Sequence, residues 1–368
     1  MAEQTENKHI VFLLPTHSRY PIGGFKIVYE YANFLITQGY RITIVYAGTL
    51  LWKRRTFKIK IESSLRYIFY KISKKYSPHN WFKLDSNIKL RFVSSLNEIN
   101  IPRADIIFAT SMETAIYLND YKKIDSNNKF YLIQGFETWN FGEQAVVSTW
   151  KFKLNKIVIA EWLKDKIEEI GEKSFLIHNG FDFSSFSMKI PIENRDKYSI
   201  MMLYHDSNLK GCDLGLEAIY NVKKKYPSVS LSLFGIPKRP RDLPDWIKYY
   251  HNPNQNVIDE LYNNSSIFVG PSFSEGFNLT VPEAMQCGCA IACTDIGGYT
   301  VVSKEGITAL TCPVGNSESL ANIILKLIEN DSLRYDIANN ANAQIKNFSW
   351  DKAFQRMKYI IENKDEFR

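Results

Sequence analysis

Residues 266–298 hold two apolar runs joined by a polar loop and a short helix, and this order confines the chain to a parallel α/β architecture. Ser266-Ile267-Phe268-Val269 ends in Gly270-Pro271, and Cys289-Ala-Ile-Ala-Cys293 is followed by Asp295 and Gly297-Gly298. Runs this apolar suit strands buried on both faces, as in a parallel sheet covered by helices. Ser272 to Asn278 is small, polar and glycine-containing, which reads as a loop. Thr280 is placed to cap a helix, Pro282 falls near its first turn where its missing N–H costs nothing, and Gly288 can close it.

A sheet of this kind binds ligands at the carboxyl ends of its strands. Two glutamates, Glu275 and Glu283, stand there eight positions apart, the first before a Gly-Phe-Asn-Leu turn and the second in the first helical turn. Loop amides and a helix N-terminus make an anion site, and each carboxylate can accept two hydroxyl donors. Phosphate on amides with hydroxyls on carboxylates is the chemistry that holds a nucleotide sugar. The competing reading makes Glu283 a plain helix-dipole partner and Glu275 a solvated loop residue. The proline, the Gly-Phe turn and the small-residue helix accompanying the pair favour the binding reading.

The same grammar recurs along the chain. His9 to Leu14 is a buried strand, Pro15 to Gly24 a loop holding Gly23-Gly24, Lys26 to Gln38 helical through Ile27, Tyr31, Phe34 and Leu35, and Arg41 to Tyr46 the next strand. A dehydrogenase fingerprint would need Gly-x-Gly-x-x-Gly here, and it is missing. A Gly-Gly pair before a helix still admits a phosphate, although such a pair is more often only a tight turn. Further strands are expected at 105–109, 130–133, 156–160 and 174–177, with a helix at 160–170. From His178 to Asp196 the sequence reads as a polar linker. The pattern then restarts with strand 199–204, helix 211–225, strand 229–234, helix 257–263 and strand 267–269. At 368 residues the chain exceeds one ordinary domain. Two α/β domains are expected, 1–185 and 186–345, with a tail at 346–368. Their ligand is expected in a cleft where Gly23-Gly24 faces the Glu275 loop.

Several classes drop out. Cys212, Cys287, Cys289, Cys293 and Cys312 have no paired CxxC spacing and no nearby histidines, so no metal is expected. Free thiols fit a reducing cytosol. Met1 to Lys8 is polar and does not read as a signal peptide. No apolar run reaches the ~20 residues needed to span a bilayer, so a cytoplasmic location is expected.

The residues together resemble the retaining glycosyltransferases of the GT-B fold, in the large family-four group, over nearly the whole chain. Glu275-Gly-Phe-Asn-Leu-Thr-Val-Pro-Glu283 is similar to that family's Glu-x7-Glu signature. Asn179-Gly-Phe-Asp182 with Phe186 resembles the stretch closing its first domain, Lys210-Gly211 the start of a helix in its second, and Gly23-Gly24 its N-terminal glycine loop. Phe348-Ser-Trp350 resembles the motif before its final helix. The resemblance implies two Rossmann-like domains facing each other across a cleft, with a C-terminal helix returning to the first. It implies that Glu283 holds ribose hydroxyls and Glu275 orients hydroxyls of the transferred sugar. The amides of Gly276, Phe277, Asn278 and Leu279 would face the sugar and distal phosphate, and Lys210 would neutralise the diphosphate. Gly23 and Gly24 would close over that diphosphate. The implied reaction is metal-independent transfer, with retention, from a nucleotide sugar such as a UDP-sugar, with no further cofactor. Its acceptor would be a glycan, a lipid-linked sugar or a phosphate-rich polymer of the cell envelope.

The chain departs from the family in two places. Tyr204-His205-Asp206 stands where many relatives have Gly-Arg-Leu, so a second cation on the diphosphate is either missing or supplied by His205. Gln134-Gly-Phe-Glu137 stands where relatives often have a histidine; Gln134 and Glu137 are either sugar or acceptor contacts, or ordinary loop residues. A nucleotide-sugar epimerase on this architecture and a non-catalytic binding partner are the competing functions.

Residues 51–80 carry nine Lys/Arg and one acid. Ile61, Leu65, Ile68, Phe69, Ile72 and Tyr76 fall on one helical face, with Lys71, Lys74 and Lys75 off it. Two readings fit: an anionic membrane surface met by this segment, or a core-packed helix with a solvated basic side. Nucleic acid is a poor third, because no recognition module is visible.

Overall fold

The computed structural model describes residues 8–48, 67–73, 75–138, 142–181, 183–275 and 278–364. Asp182, Gly276, Phe277 and most of the basic run 51–80 lie outside the described residues. The chain forms two compact units, Met1–His178 with Ala353–Arg368, and Asn179–Lys352.

The first unit is a seven-stranded sheet. Its strands are β1 (His9–Leu14), β2 (Arg41–Ala47), β3 (Lys89–Val93), β4 (Ile106–Ala109), β5 (Lys129–Ile133), β6 (Asn155–Val158) and β7 (Phe175–Leu176), in the order β3-β2-β1-β4-β5-β6-β7. Every pairing is parallel. The central strands are apolar throughout because helices cover both faces. Phe12, Phe108 and Phe130 stack across neighbouring strands at 4.9 and 4.8 Å. Crossovers are made by α1 (Gly23–Thr37), α2 (Met112–Asp120), α3 (Glu143–Trp150) and α4 (Glu161–Glu169).

The second unit has six parallel strands: β8 (Ser199–Leu203), β9 (Ser230–Gly235), β10 (Ile247–His251), β11 (Ile267–Gly270), β12 (Ala290–Thr294) and β13 (Leu310–Cys312), in the order β10-β9-β8-β11-β12-β13. Its helices are α5 (Cys212–Lys225), α6 (Gln255–Asn263), α7 (Thr280–Gln286), α8 (Gly297–Thr300), α9 (Ser317–Glu329) and α10 (Asp331–Ile345). The core runs through Ile200, Met202, Leu231, Leu233, Val269, Ala292 and the buried stripe of α9. All five cysteines are free and buried, and burial pushes every thiol up.

The last helix, α11 (Trp350–Glu362), returns to the first unit. Phe354 stacks on Phe34 at 4.5 Å with nearly parallel rings, and the Tyr40 hydroxyl donates to Glu362 at 3.3 Å. At its start, a Cβ on Gly180 would stand 2.4 Å from Trp350, so only glycine lets the two segments touch.

Three strands escape a reading by apolar runs: β3, β10 and β13. All three are sheet edges. Lys-Leu-Arg-Phe-Val and Ile-Lys-Tyr-Tyr-His mix polar with apolar residues because an edge strand meets water on part of its surface. A second difference concerns α7. Its N-cap is Leu279, and Thr280 is the first helical residue, while Asn278 Oδ1 accepts from the Val281 N–H at 2.9 Å. Asparagine reaches back over the first turn and does the capping expected of threonine.

One buried cation ties the site-bearing helices together. Arg195 is only 7% exposed. Its guanidinium donates to the carbonyls of Ile190, Tyr262, Ser265 and Cys287. Tyr262 lies in the last turn of α6 and Cys287 closes α7, so the charge sits at two helix C-termini where it is favoured. Arg195→Met fills the space but leaves several carbonyls unpaired. We expect it to destabilise the second unit by about 3 kcal/mol or more, read by urea unfolding. A loss below about 1 kcal/mol would show that water takes over those carbonyls.

Candidate functional site

In the second unit, the loops leaving β8 and β11 meet backbone to backbone. Gly211 has φ 61°, and a Cβ there would stand 2.1 Å from the Pro271 carbonyl oxygen. The Phe273 N–H donates to Leu209 O at 2.8 Å. This approach brings Lys210, at the end of the turn Asn208–Lys210, over the β11 loop. Its Nζ lies 2.6 Å from Glu275 Oε1. Ser272 Oγ and Asn278 Nδ2 donate to the same oxygen at 2.9 and 3.1 Å. Three donors therefore converge on Oε1, and Oε2 takes none of these bonds.

Behind Ser272 stands Tyr299, whose hydroxyl donates to Ser272 Oγ at 2.9 Å. Burial, reinforced by the nearby Glu275 carboxylate, pushes this phenol far up, so it stays protonated and donates. Thr294 Oγ1 fixes the Ser272 carbonyl at 2.6 Å. A Cβ on Gly298 would land 2.4 Å from Glu275 Cβ, so a side chain there displaces the glutamate.

Glu283 lies half-buried in the first turn of α7. Its Oε2 accepts from the Tyr262 hydroxyl at 3.1 Å. Tyr262 is fully buried, and burial first, then the Glu283 charge, pushes its phenol well up. Leu279 holds the helix entrance. His205 is exposed; its Nδ1 accepts from the Ser207 N–H at 2.9 Å and its own N–H points to Cys212 Sγ at 3.2 Å. The ring proton then sits on Nε2, and His205 hydrogen-bonds neither Lys210 nor Glu275.

In the first unit, Gly23 and Gly24 open α1, and the N-cap Ile22 makes no side-chain capping bond. Gln134, just past β5, donates from Nε2 to Gly24 O at 3.1 Å. Glu137 accepts from the Met112 N–H, in the first turn of α2, at 2.9 Å. Burial pushes the Glu137 carboxyl up to about 7, the Met112 amide opposes that shift, and Glu113 adds to it. These residues gather at the carboxyl ends of β1, β4 and β5.

The structure thus brings together Lys210, Glu275 and Asn278, places Glu283 on the adjoining helix, and groups Gly24 with Gln134. Gly276 and Phe277 lie outside the described residues. Sequence reasoning missed Ser272, Tyr262 and Tyr299. A tyrosine inside an apolar stretch is the available signal, because a buried hydroxyl needs a partner.

Residues 184–344 match the family model described as Glycosyl transferases group 1. The phosphatidyl-myo-inositol mannosyltransferase of Mycolicibacterium smegmatis is 19% identical over 207 residues, covering 54% of this chain and 54% of that protein. The chain thus spans about half the length of that curated relative. Among solved structures, sucrose-phosphate synthase from Thermosynechococcus elongatus superposes with TM-score 0.70 at 14% identity, covering 98% of this chain and 100% of the other. HepE of Anabaena, in complex with UDP and glucose, gives 0.68 at 15%, covering 96% and 99%. The two parallel-sheet, Rossmann-like units and these neighbours establish the GT-B fold.

Glu137 supplies a signed pH test. Its pKa stands at about 7 when folded against 4.5 as a free side chain. Between those values the folded state binds more protons than the unfolded one, so stability falls as pH rises through this window. Glu137→Gln keeps an acceptor for the Met112 N–H and has no proton to lose. Its melting temperature should match wild type at about pH 4.5 and exceed it increasingly up to about pH 7. A difference constant with pH would mean that Glu137 titrates as an ordinary carboxyl.

Proposed function

We propose that this chain, which belongs through residues 184–344 to the glycosyl transferases group 1, moves a hexose-type sugar from a nucleoside-diphosphate sugar to an acceptor of the cell envelope. The acceptor is a glycan, a lipid-linked sugar or a polymer, and the anomeric configuration is retained. The carrying observation is Glu275 Oε1, held by Lys210, Ser272 and Asn278 at the carboxyl ends of β8 and β11. A carboxylate fixed on one oxygen offers the other to sugar hydroxyls, and the ammonium beside it suits the phosphate that leaves.

Each residue then has a role. Glu283, steadied by Tyr262, holds ribose hydroxyls. Glu275 orients the transferred sugar. The amides of Gly276, Phe277, Asn278 and Leu279 take the sugar and distal phosphate. Lys210 neutralises the diphosphate as a point charge, with His205 Nε2–H as an auxiliary donor. Gly23 and Gly24 leave the first amides of α1 open to a phosphate. Gln134 and Glu137 serve the acceptor or sugar side. The acceptor oxygen bonds to the anomeric carbon on the face from which the diphosphate leaves. The bond to the diphosphate oxygen breaks with its electron pair, and the acceptor proton passes to a departing phosphate oxygen. Such a reaction needs no metal and no cofactor beyond the nucleotide sugar. UDP is the preferred carrier, in line with the UDP bound in HepE. The protein works in the cytoplasm, peripherally at the inner face of the membrane.

Two measurements test this reading. In a thermal-shift panel of nucleoside diphosphates, UDP should raise the melting temperature, and Lys210→Ala and Glu283→Ala should weaken binding by about tenfold each. No response to any nucleotide or nucleotide sugar would end the donor assignment. Tyr299→Phe separates the sugar end from the nucleotide end. It should leave UDP affinity unchanged and lower UDP-sugar affinity by about three- to tenfold, with Ser272→Ala adding little on top. Equal losses for both ligands would reduce Tyr299 to a packing residue.

A further inference from the structure

The amino-terminal edge of the first unit's sheet holds a groove that the candidate site does not use. It runs between residues 98–105, which lead into β4, and residues 121–128, which lead into β5. Hydrogen bonds brace both walls. The Lys123 N–H donates to Glu98 Oε1 at 2.7 Å and ties one wall to the other. The His9 N–H donates to Asp105 Oδ2 at 2.7 Å, and the His9 ring meets the Arg103 carbonyl through Nδ1 at 2.8 Å. At the far end the Lys364 ammonium, just past α11, donates to the Asn128 side-chain oxygen. The groove is therefore built in advance of any ligand.

Its two halves are unlike. They measure about 340 and 330 Å³ and share Arg103 and Lys123. The first half has an apolar wall made by Ile101, Pro102, Ile107, Tyr121 and Ile124. The second is polar, and Lys8, Arg103, Lys123 and Lys364 line it against Asp105 and Asp125. Both acids are already engaged: Asp105 takes the His9 N–H, and Asp125 Oδ1 takes the Asn127 N–H at 2.8 Å. Most of the cations are not. Among the described residues, the side chains of Lys8, Arg103 and Lys123 make no hydrogen bond or ion pair. Behind the wall stands Lys129, only 6% exposed. Its ammonium donates to the carbonyls of Tyr121 at 2.6 Å and Asn119 at 3.4 Å, and no carboxylate meets it.

We infer that this groove binds a small phosphate monoester with an apolar or aromatic body, as an effector site separate from the Lys210–Glu275 centre. A dianionic head suits a guanidinium fork flanked by lysine point charges. The body covers Ile101, Pro102 and Ile124, which are half-buried and otherwise meet water. Each half has the size of a ligand pocket. A wholly apolar ligand would leave the cations unanswered, and a bare anion would leave the apolar wall wet. The groove stands at the amino ends of β1 and β4, whereas Gly24, Gln134 and Glu137 gather at the carboxyl ends. A ligand here touches none of those three. It spans both lead-in segments and Lys364, and so fastens the end of the returning helix to the sheet it packs on. The inference stands whether or not the transferase reading holds.

The probe is phenyl phosphate, titrated calorimetrically into the full chain with and without excess UDP, beside its two halves, inorganic phosphate and phenol. Phenyl phosphate should bind about tenfold more tightly than inorganic phosphate or better, in the presence of UDP as in its absence, and phenol should give no heat at the same concentrations. Arg103→Glu/Lys123→Glu should lower its affinity on the order of a hundredfold. Ile101→Ser/Ile124→Ser should lower it about tenfold and leave inorganic phosphate as in wild type. Both variants should keep a cooperative thermal transition. No binding by the wild type overturns the proposal, as does unchanged affinity in the charge-reversed variant. Binding that UDP abolishes overturns it by placing the probe in a nucleotide site. Equal affinity for phenyl phosphate and phosphate overturns it and leaves a place for an adventitious ion only. Binding of polyglutamate with none of phenyl phosphate overturns it too and assigns the groove to an acidic protein partner. If the serine variant fails to fold, the exposed pair Arg103 and Lys123, tested with the probe and its halves, still decides.

Discussion

Lys210 reaches Glu275 only because two strand-end loops lie against each other without side chains between them. Gly211 provides both requirements: a left-handed backbone, and no Cβ where the Pro271 carbonyl stands. An alanine there would be strained and would collide. Gly298 repeats the device on the other side of Glu275. The candidate chemistry therefore depends on missing side chains as much as on charged ones. Three donors on one carboxylate oxygen make the ion pair more than a surface contact, since exposed pairs of this kind contribute little.

The sequence showed most of what depends on local pattern. Buried central strands announce themselves as apolar runs, and both sheets were expected around β1, β4, β5, β8, β9, β11 and β12. Glu275, Glu283 and Lys210 stood out because they interrupt such a pattern at strand ends. What stayed hidden depends on long-range position. The edge strands β3, β10 and β13 carry mixed sequences because one side meets water. The inward turn of Tyr67 and Tyr70 is set by Phe92, more than twenty residues away, and helical periodicity alone cannot tell a docked face from a bare one. Ile68 and Ile72 were grouped with Tyr76 by spacing, yet the sheet edge accepts the aromatic side and leaves both isoleucines exposed.

Arg195 illustrates the same limit in the core. It sits in a polar stretch that reads as linker, and its partners are carbonyls of α6, α7 and the turn between Ile190 and Arg195 itself. Backbone carbonyls have no sequence signature. A cation at two helix C-termini also complements the negative ends of dipoles, while Glu283 occupies the positive end of α7. The short helix is thus held electrostatically at both ends.

The two glutamates share a design that their eight-residue spacing does not reveal. Behind each stands a buried tyrosine whose phenol, kept protonated by burial, can only be a donor toward the acid. Tyr262 bonds Glu283 directly, and Tyr299 reaches Glu275 through the Ser272 hydroxyl. Glu275 Oε1, met by Ser272, Lys210 and Asn278 together, is held in a fixed direction. On the proposed donor reading, carboxylates at both positions favour hydroxyl donors over anions, and phosphate falls to Lys210. On that same reading, preference for a ligand with hydroxyls at its ends and phosphate between them rests on two acids that buried tyrosines anchor, one directly and one through Ser272.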